Sequence, residues 1–139
     1  MKLRVLFLCA TNGIQSPIAE ALLNGLDSEH FEAISAGIER GETHPLTIEV
    51  MKDIGIDLRE RATKATHDVL DGCFNFVITL CDRARSECPN LPEAEIVHWR
   101  FDDPMAVPDY WKRKRLFQSL RDQIAHRVRL FALVQARAA

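Results

Sequence analysis

The stretch Leu3-Arg4-Val5-Leu6-Phe7-Leu8-Cys9-Ala10-Thr11-Asn12-Gly13-Ile14-Gln15-Ser16-Pro17-Ile18-Ala19 decides the fold. Leu3 to Leu8, interrupted only by Arg4, is apolar and of strand length, which suits a parallel strand buried on both faces. Six residues, Ala10 to Gln15, then lead to Ser16 and Pro17. Ser16 reads as a helix N-cap and Pro17 as the first helical residue, where a missing N–H costs nothing. Ile18, Ala19, Leu22, Leu23 and Leu26 supply that helix with an inward stripe. Working outward, short apolar runs alternate with helical periods. Phe31 to Ser35 reads as a second strand and His44 to Ile54 as a second helix, with Pro45 near its start and Gly55 as its stop. A weaker helix is expected over Thr66 to Leu70. Phe76 to Leu80 and Ile96 to Trp99 complete four strands, and a helix from about Tyr110 to about Val134 closes the chain. Such alternation is the βαβ signature and predicts a three-layer α/β sandwich, residues 1–139 forming a single domain.

The composition agrees with a folded globule. Of 139 residues, 47% are hydrophobic and 27% charged, with 6 Gly and 6 Pro, which excludes collagen-like, low-complexity and disordered classes. No apolar run approaches the roughly 20 residues of a membrane span, and no secretory leader pattern opens the chain, so a cytoplasmic protein without a membrane partner is expected. In that compartment four cysteines point to catalysis, redox chemistry or metal binding before a disulfide framework. The net charge of −2 hides an asymmetry: from Trp111 onward eight Lys or Arg face one acid, Asp122, leaving 10 basic and 19 acidic residues before it. That basic tail would suit nucleic acid, but Leu116, Leu120, Ile124, Val128 and Phe131 recur at helical spacing. Its charges therefore read as the wet face of an amphipathic helix, and no nucleic-acid partner is expected.

In open α/β sheets ligands bind beyond the carboxyl ends of the strands, where loops enter helix N-termini. Cys9 ends the first strand at such a place. Backbone N–H groups of a loop like Ala10 to Gln15 can converge on an oxyanion, and the helix dipole favours both that anion and the Cys9 thiolate. Cys9 is accordingly expected to be a low-pKa nucleophile; the alternative is a small apolar residue ending a buried strand. A zinc site from Cys81, Cys88 and His98 lacks the short paired spacing of structural zinc sites, so neither metal nor cofactor is expected. Cys73 is assigned to packing.

Cys9-Ala10-Thr11-Asn12-Gly13-Ile14-Gln15-Ser16 resembles the anion loop of low-molecular-weight protein tyrosine phosphatases and of the arsenate reductases built on that fold. Ser35-Ala36-Gly37-Ile38, His44-Pro45-Leu46, Glu49-Val50-Met51-Lys52, Gly55-Ile56-Asp57, Val77-Ile78-Thr79-Leu80-Cys81, Cys88-Pro89, His98-Trp99 and Asp102-Asp103-Pro104 follow in the order of the reductase branch. The resemblance covers nearly the whole chain and implies a four-stranded parallel sheet of order 2-1-3-4. It implies that Cys9 attacks arsenate, Cys81 attacks the adduct to release arsenite, and Cys88 takes over the disulfide for reduction by thioredoxin or a similar thiol. Asp103 would be the general acid that protonates the departing oxygen, its loop stiffened by Pro104. Ala10 to Ser16 would hold the arsenate or phosphate-like oxyanion.

One position departs from the family pattern. Where the anion loop ends in Arg, this chain has Gln15, whose amide offers neutral donors where a guanidinium would clamp the anion bidentately. Loss of one such donor costs roughly a hundredfold or more in turnover. Gly13 and Ile14 also replace the usual polar residues. Arg100, where the reductase pattern has Gly, is a candidate replacement charge, or else an exposed partner of Asp102 or Asp103. Asn12, Glu20, Ser35 and Lys64 resemble a polar group behind the loop that binds potassium in some members; Lys64 is expected to take the cation's place and remove any potassium requirement. Three functions stay open: arsenate reduction, phosphate-ester hydrolysis, and non-catalytic oxyanion or redox sensing.

Overall fold

A computed structural model describes residues 1–138 of the chain. The elements run β1 (Leu3–Cys9), α1 (Gln15–Leu26), β2 (Phe31–Gly37), α2 (Pro45–Lys52), β3 (Phe76–Thr79), α3 (Asp82–Ser86), β4 (Glu95–His98) and α4 (Tyr110–Ala138). Short 3-10 turns lie at Thr66–Asp68 and Pro104–Ala106. The four strands form one parallel sheet in the order β2-β1-β3-β4.

Side chains of β1 alternate between two cores, as the pleat requires. Val5, Phe7 and Cys9 pack with Ile18, Ala19 and Leu23 of α1 and Leu120, Ile124 and Val128 of α4. Leu6 and Leu8 face the other way, against Val69, Phe74 and Ala84 of α3. Val5 to Leu8 are fully buried, so helices or covering segments bury both faces, which explains the unbroken apolar reading of Val5 to Leu8. β2 and β4 are the edge strands, and Ile96 of β4 is half exposed.

Several elements differ locally from the sequence reading. In α4 the buried stripe is Phe117, Leu120, Ile124, Val128 and Ala132, whereas Leu116 lies on the wet side. Phe117 continues the helical period backward from Leu120 and Leu116 lies about 100° off it. The region over Thr66 to Leu70 makes only one 3-10 turn, and α2 stops at Lys52, where Gly55 at φ +84 lets the chain turn out of the helix. Cys73, assigned to packing, is exposed; only its carbonyl is engaged, by Arg4 Nη1 at 2.8 Å.

α2 starts where the sequence puts it. His44 is its N-cap, with Nδ1 accepting from the Leu46 N–H at 3.0 Å, and Pro45 follows at the first helical position. The ring lies 4.9 Å from that of Phe117, and burial, reinforced by the Arg113 charge, pushes its pKa below the usual 6.5. Protonation would abolish the acceptor. Because the unfolded chain takes up the proton more readily, this contribution is present above pH 6.5 and is lost as pH falls below it. Thermal melts between pH 7 and about 5.5 should therefore show a smaller acid-side fall in Tm for His44→Asn, which keeps a capping oxygen without the titration, than for the natural chain.

Candidate active site

The loop between β1 and α1 is folded by a strap, residues 37–44, that hydrogen-bonds its carbonyls one by one. Cys9 O accepts from Ile38 N–H, Ala10 O from Glu39 N–H, Thr11 O from Gly41 N–H and Gly13 O from His44 N–H, all between 2.9 and 3.0 Å. Gly13 O also accepts from Thr47 Oγ1 at 2.9 Å, and Asn12 O from Arg61 Nη1 at 3.0 Å. Every peptide here is trans, so carbonyls turned toward the strap send the N–H groups of residues 10–14 to the opposite side. This is the arrangement an oxyanion needs. The strap sits so close that a Cβ on Gly13 would lie 2.4 Å from Glu42 O, which accounts for glycine where the family pattern has a polar residue.

Asn12 holds the loop at its tightest point. It is fully buried, with φ +62, the left-handed region that Asn tolerates better than most side chains. Its amide is fully used: Nδ2 donates to Ser16 Oγ and Ser35 Oγ, both at 2.9 Å, and Oδ1 accepts from Arg61 Nη2 at 2.8 Å and Lys64 N–H at 2.9 Å. Ser16 is therefore not the helix cap. α1 begins at Gln15 after Ile14, with no side-chain cap, because the Ser16 hydroxyl is taken by Asn12 and by Cys9. Since Ser16 Oγ accepts from Asn12, its own hydrogen is free to point at Cys9 Sγ, 2.8 Å away. Cys9 is 1% exposed.

The cation behind the loop is Arg61, where the sequence reading placed Lys64. Lys64 contributes only backbone groups, its N–H to Asn12 Oδ1 and its carbonyl to the Gly37 N–H. The Arg61 side chain, 11% exposed, donates to Asn12 O, Asn12 Oδ1, Thr43 Oγ1 and Ser35 Oγ, with Glu20 Oε1 at 3.9 Å. Burial lowers its pKa, and the Glu20 and Cys9 charges offset that only in part. Nothing in Arg59-Glu60-Arg61 distinguishes this guanidinium from a surface one in the sequence.

In front of the loop lies a cleft of about 440 Å³. Ala10, Thr11, Ile14 and Gln15 form one wall, Cys81, Asp82 and Arg83 a second, and Arg100, Phe101, Asp102, Asp103 and Met105 a third. The expected residues Ala10, Thr11, Ile14, Gln15, Cys81, Arg100 and Asp103 thus meet here; Asn12, Gly13 and Ser16 lie buried behind. Asp103 caps the 3-10 turn that follows it, Oδ1 accepting from Met105 N–H at 2.8 Å. Arg100 is two-thirds exposed and its Nε lies 3.7 Å from Asp82 Oδ1, so its acidic neighbour is Asp82, where the sequence suggested Asp102 or Asp103. Gln15 is 9% exposed at the first position of α1.

Cys81 caps α3, its Sγ accepting from Ala84 N–H at 3.4 Å. Burial pushes its pKa up; amides of Ala84, Arg83 and Ala10 oppose that, and the nearby Cys9 charge adds to it. Cys88 lies beyond the other end of α3, outside the cleft, with Sγ 3.6 Å from Pro89 O, and burial raises its pKa too. Both sulfurs touch the core under α3. Among the described residues no three His, Cys, Asp or Glu side chains gather as metal ligands, and no helix is long and apolar enough to cross a membrane.

Comparison with known proteins agrees with this geometry. The chain is 35% identical over 131 residues to an arsenate reductase of Shouchella clausii (strain KSM-K16), covering 92% of this chain and 94% of that protein. It superimposes on an arsenate reductase in the phosphate binding state with a TM-score of 0.76 at 25% identity, covering 94% of this chain and 96% of the other. A thioredoxin-dependent arsenate reductase of Corynebacterium glutamicum gives 0.74 at 28% identity, over 98% of this chain and 63% of the other. With residues 4–138 matching the model of the low molecular weight phosphotyrosine protein phosphatases, the chain belongs to that family.

Proposed function

We propose that the protein reduces arsenate to arsenite in the cytoplasm through a thiol relay of Cys9, Cys81 and Cys88, without metal or potassium. The observation that carries this reading is the placing of Cys81 in the wall of the cleft that the Cys9 loop floors, with Cys88 at the far end of the same short helix. A phosphate-ester hydrolase would need Cys9 and Asp103 but neither of the other two. In the proposed sequence the Cys9 thiolate attacks arsenic and a hydroxyl leaves, protonated by Asp103. Cys81 then attacks Cys9 Sγ; the S–As pair stays on arsenic, which departs as arsenite, and a Cys9–Cys81 disulfide remains. Attack of Cys88 on Cys81 frees Cys9, and a dithiol reductant of the thioredoxin class returns the pair to thiols.

The last transfer requires α3 to come apart. Cys88 comes seven positions after Cys81, about 10 Å along a helix, whereas a disulfide needs Cα atoms within about 7 Å. Only five residues are helical and Ala84 alone is buried among them, so little holds the segment. Oxidation by arsenate is expected to join Cys81 to Cys88, seen by peptide mass mapping, and to remove the amide-exchange protection of residues 82–86. Arsenite production with thioredoxin should vanish in Cys9→Ser, Cys81→Ser and Cys88→Ser. Should arsenate leave all three thiols free while an aryl phosphate is turned over, the protein is a phosphatase. If neither is turned over, the sensor reading replaces both.

Gln15 sets the rate. Gln15→Arg should raise turnover by roughly a hundredfold or more, since it restores a bidentate, charged donor at the loop's end. Arg100 is the less constrained of the two guanidinium groups in the cleft wall, because Arg83 is tied to both Glu39 and Glu87 at 3.1 Å. If Arg100 supplies the missing charge, Arg100→Ala abolishes the natural protein's activity and matters much less beside Gln15→Arg, a non-additivity that a double-mutant cycle measures. Family-like rates in the natural chain, with Arg100→Ala silent, would show that no front charge is required.

A further inference from the structure

We propose that Arg61 is a positioning residue that fixes the anion loop from behind and balances Glu20, so that its charge sets how readily Cys9 reacts and how well the loop holds an oxyanion. The proposal rests on reading residues 9–16 as an oxyanion loop and is independent of arsenate being the substrate.

Three observations support it. The guanidinium spends its hydrogen bonds on the loop itself: Asn12 O and Asn12 Oδ1 at 3.0 and 2.8 Å, and Ser35 Oγ, which also holds the Asn12 amide, at 3.2 Å. A fourth, to Thr43 Oγ1 at 2.9 Å, ties the loop to the strap. Secondly, its counter-charge is close and partly buried. Glu20 Oε1 lies 3.9 Å away at 20% exposure, and its Oε2 accepts from Ser35 N–H at 2.9 Å, so the carboxylate stays in place if Arg61 is removed. Thirdly, the front of the loop lacks a committed cation. Gln15 is neutral, Arg83 is engaged by Glu39 and Glu87, and Arg100 stands beside Asp82. A buried guanidinium remains charged, and its effect reaches further in this poorly solvated setting than that of an exposed arginine. Without it, Glu20 would be an uncompensated negative charge behind a loop built to receive an anion.

The consequence is a coupling between two residues that do not enter the cleft. Arg61→Met keeps much of the bulk and removes the charge. In the full chain, iodoacetamide modification of Cys9, followed by peptide mass mapping at pH 7, should slow about tenfold, and the concentration of inorganic phosphate that half-protects Cys9 should rise about tenfold. Arg61→Lys should retain most of both. Adding Glu20→Gln to Arg61→Met should restore both to within about threefold, because the uncompensated carboxylate is gone. A structural peg behaves differently: the double variant would be no better than Arg61→Met. That result, or a folded Arg61→Met with unchanged Cys9 reactivity and phosphate protection, overturns the proposal. If Arg61→Met does not fold, Glu20→Gln alone decides, since freeing the Arg61 charge should speed Cys9 modification and tighten phosphate protection; no change in either would refute the coupling. Absence of any phosphate protection in the natural chain would instead refute the oxyanion-loop reading beneath it.

Discussion

The site depends on one buried amide. Asn12 adopts a left-handed backbone, and the cost of that conformation is offset because all four hydrogen-bonding positions of its side chain are filled. Those bonds run to four places: Ser16 in α1, Ser35 in β2, and Arg61 and Lys64 in the segment that follows α2. Any shorter or apolar side chain would leave several buried donors or acceptors without partners, each costing about 1–3 kcal/mol. Through Ser16 the same network reaches the Cys9 sulfur. The loop's shape, the start of α1 and the surroundings of the nucleophile are thus one structure.

That dependence explains which parts were legible in the sequence. Leu3 to Leu8 and Phe76 to Leu80 are readable because a strand buried on both faces must be apolar, and Phe31 to Ser35 because its inward positions alternate with an exposed Glu32; the structure keeps each to within two residues. His44-Pro45 marked α2 because capping chemistry is local. Ser16-Pro17 looked the same and misled, since the Ser16 hydroxyl has a tertiary use that overrides the cap. Arg61 was invisible for a related reason: its partners lie 18, 26 and 49 residues away, and no local pattern encodes a guanidinium turned inward. Lys64 fits the family's polar group in sequence, yet its side chain contributes nothing to Asn12. Cys9, Cys81 and Asp103 are identifiable by resemblance; Cys81 and Asp103 line one cleft, and Cys9 lies buried at the start of the loop that forms one of its walls.

Charge in that cleft is nearly balanced. Arg83 and Arg100 share its walls with Asp82, Asp102 and Asp103, and Gln15 adds nothing. An oxyanion entering here meets backbone dipoles and no net positive charge from the side chains of the walls. Backbone N–H groups fixed by the strap cost no reorganisation when the ligand arrives, so a preorganised loop can bind an anion without a guanidinium at its end, at reduced strength. The rigidity of the loop consequently matters more in this chain than it would beside an arginine.

The sheet gives the three sulfurs unequal freedom. Leu8 pairs with Thr79, so Cys9 stands opposite Leu80 and Cys81 lies one residue beyond, on strands about 4.8 Å apart. Parallel register therefore brings Cys9 and Cys81 to neighbouring backbone positions, and in the proposed relay the step between them asks for less backbone motion than the step from Cys81 to Cys88. The path from Cys81 to Cys88 runs through five helical residues, held by one buried alanine and by surface pairs such as Arg83 with Glu39, each worth under about 1 kcal/mol. A nucleophile that must remain in a preorganised loop belongs on the rigid strand end. In the proposed relay, a cysteine that carries oxidising equivalents outward belongs on a segment that unfolds cheaply. The fold supplies both at the same carboxyl edge, since β1 and β3 are adjacent and parallel, and each strand delivers its cysteine there.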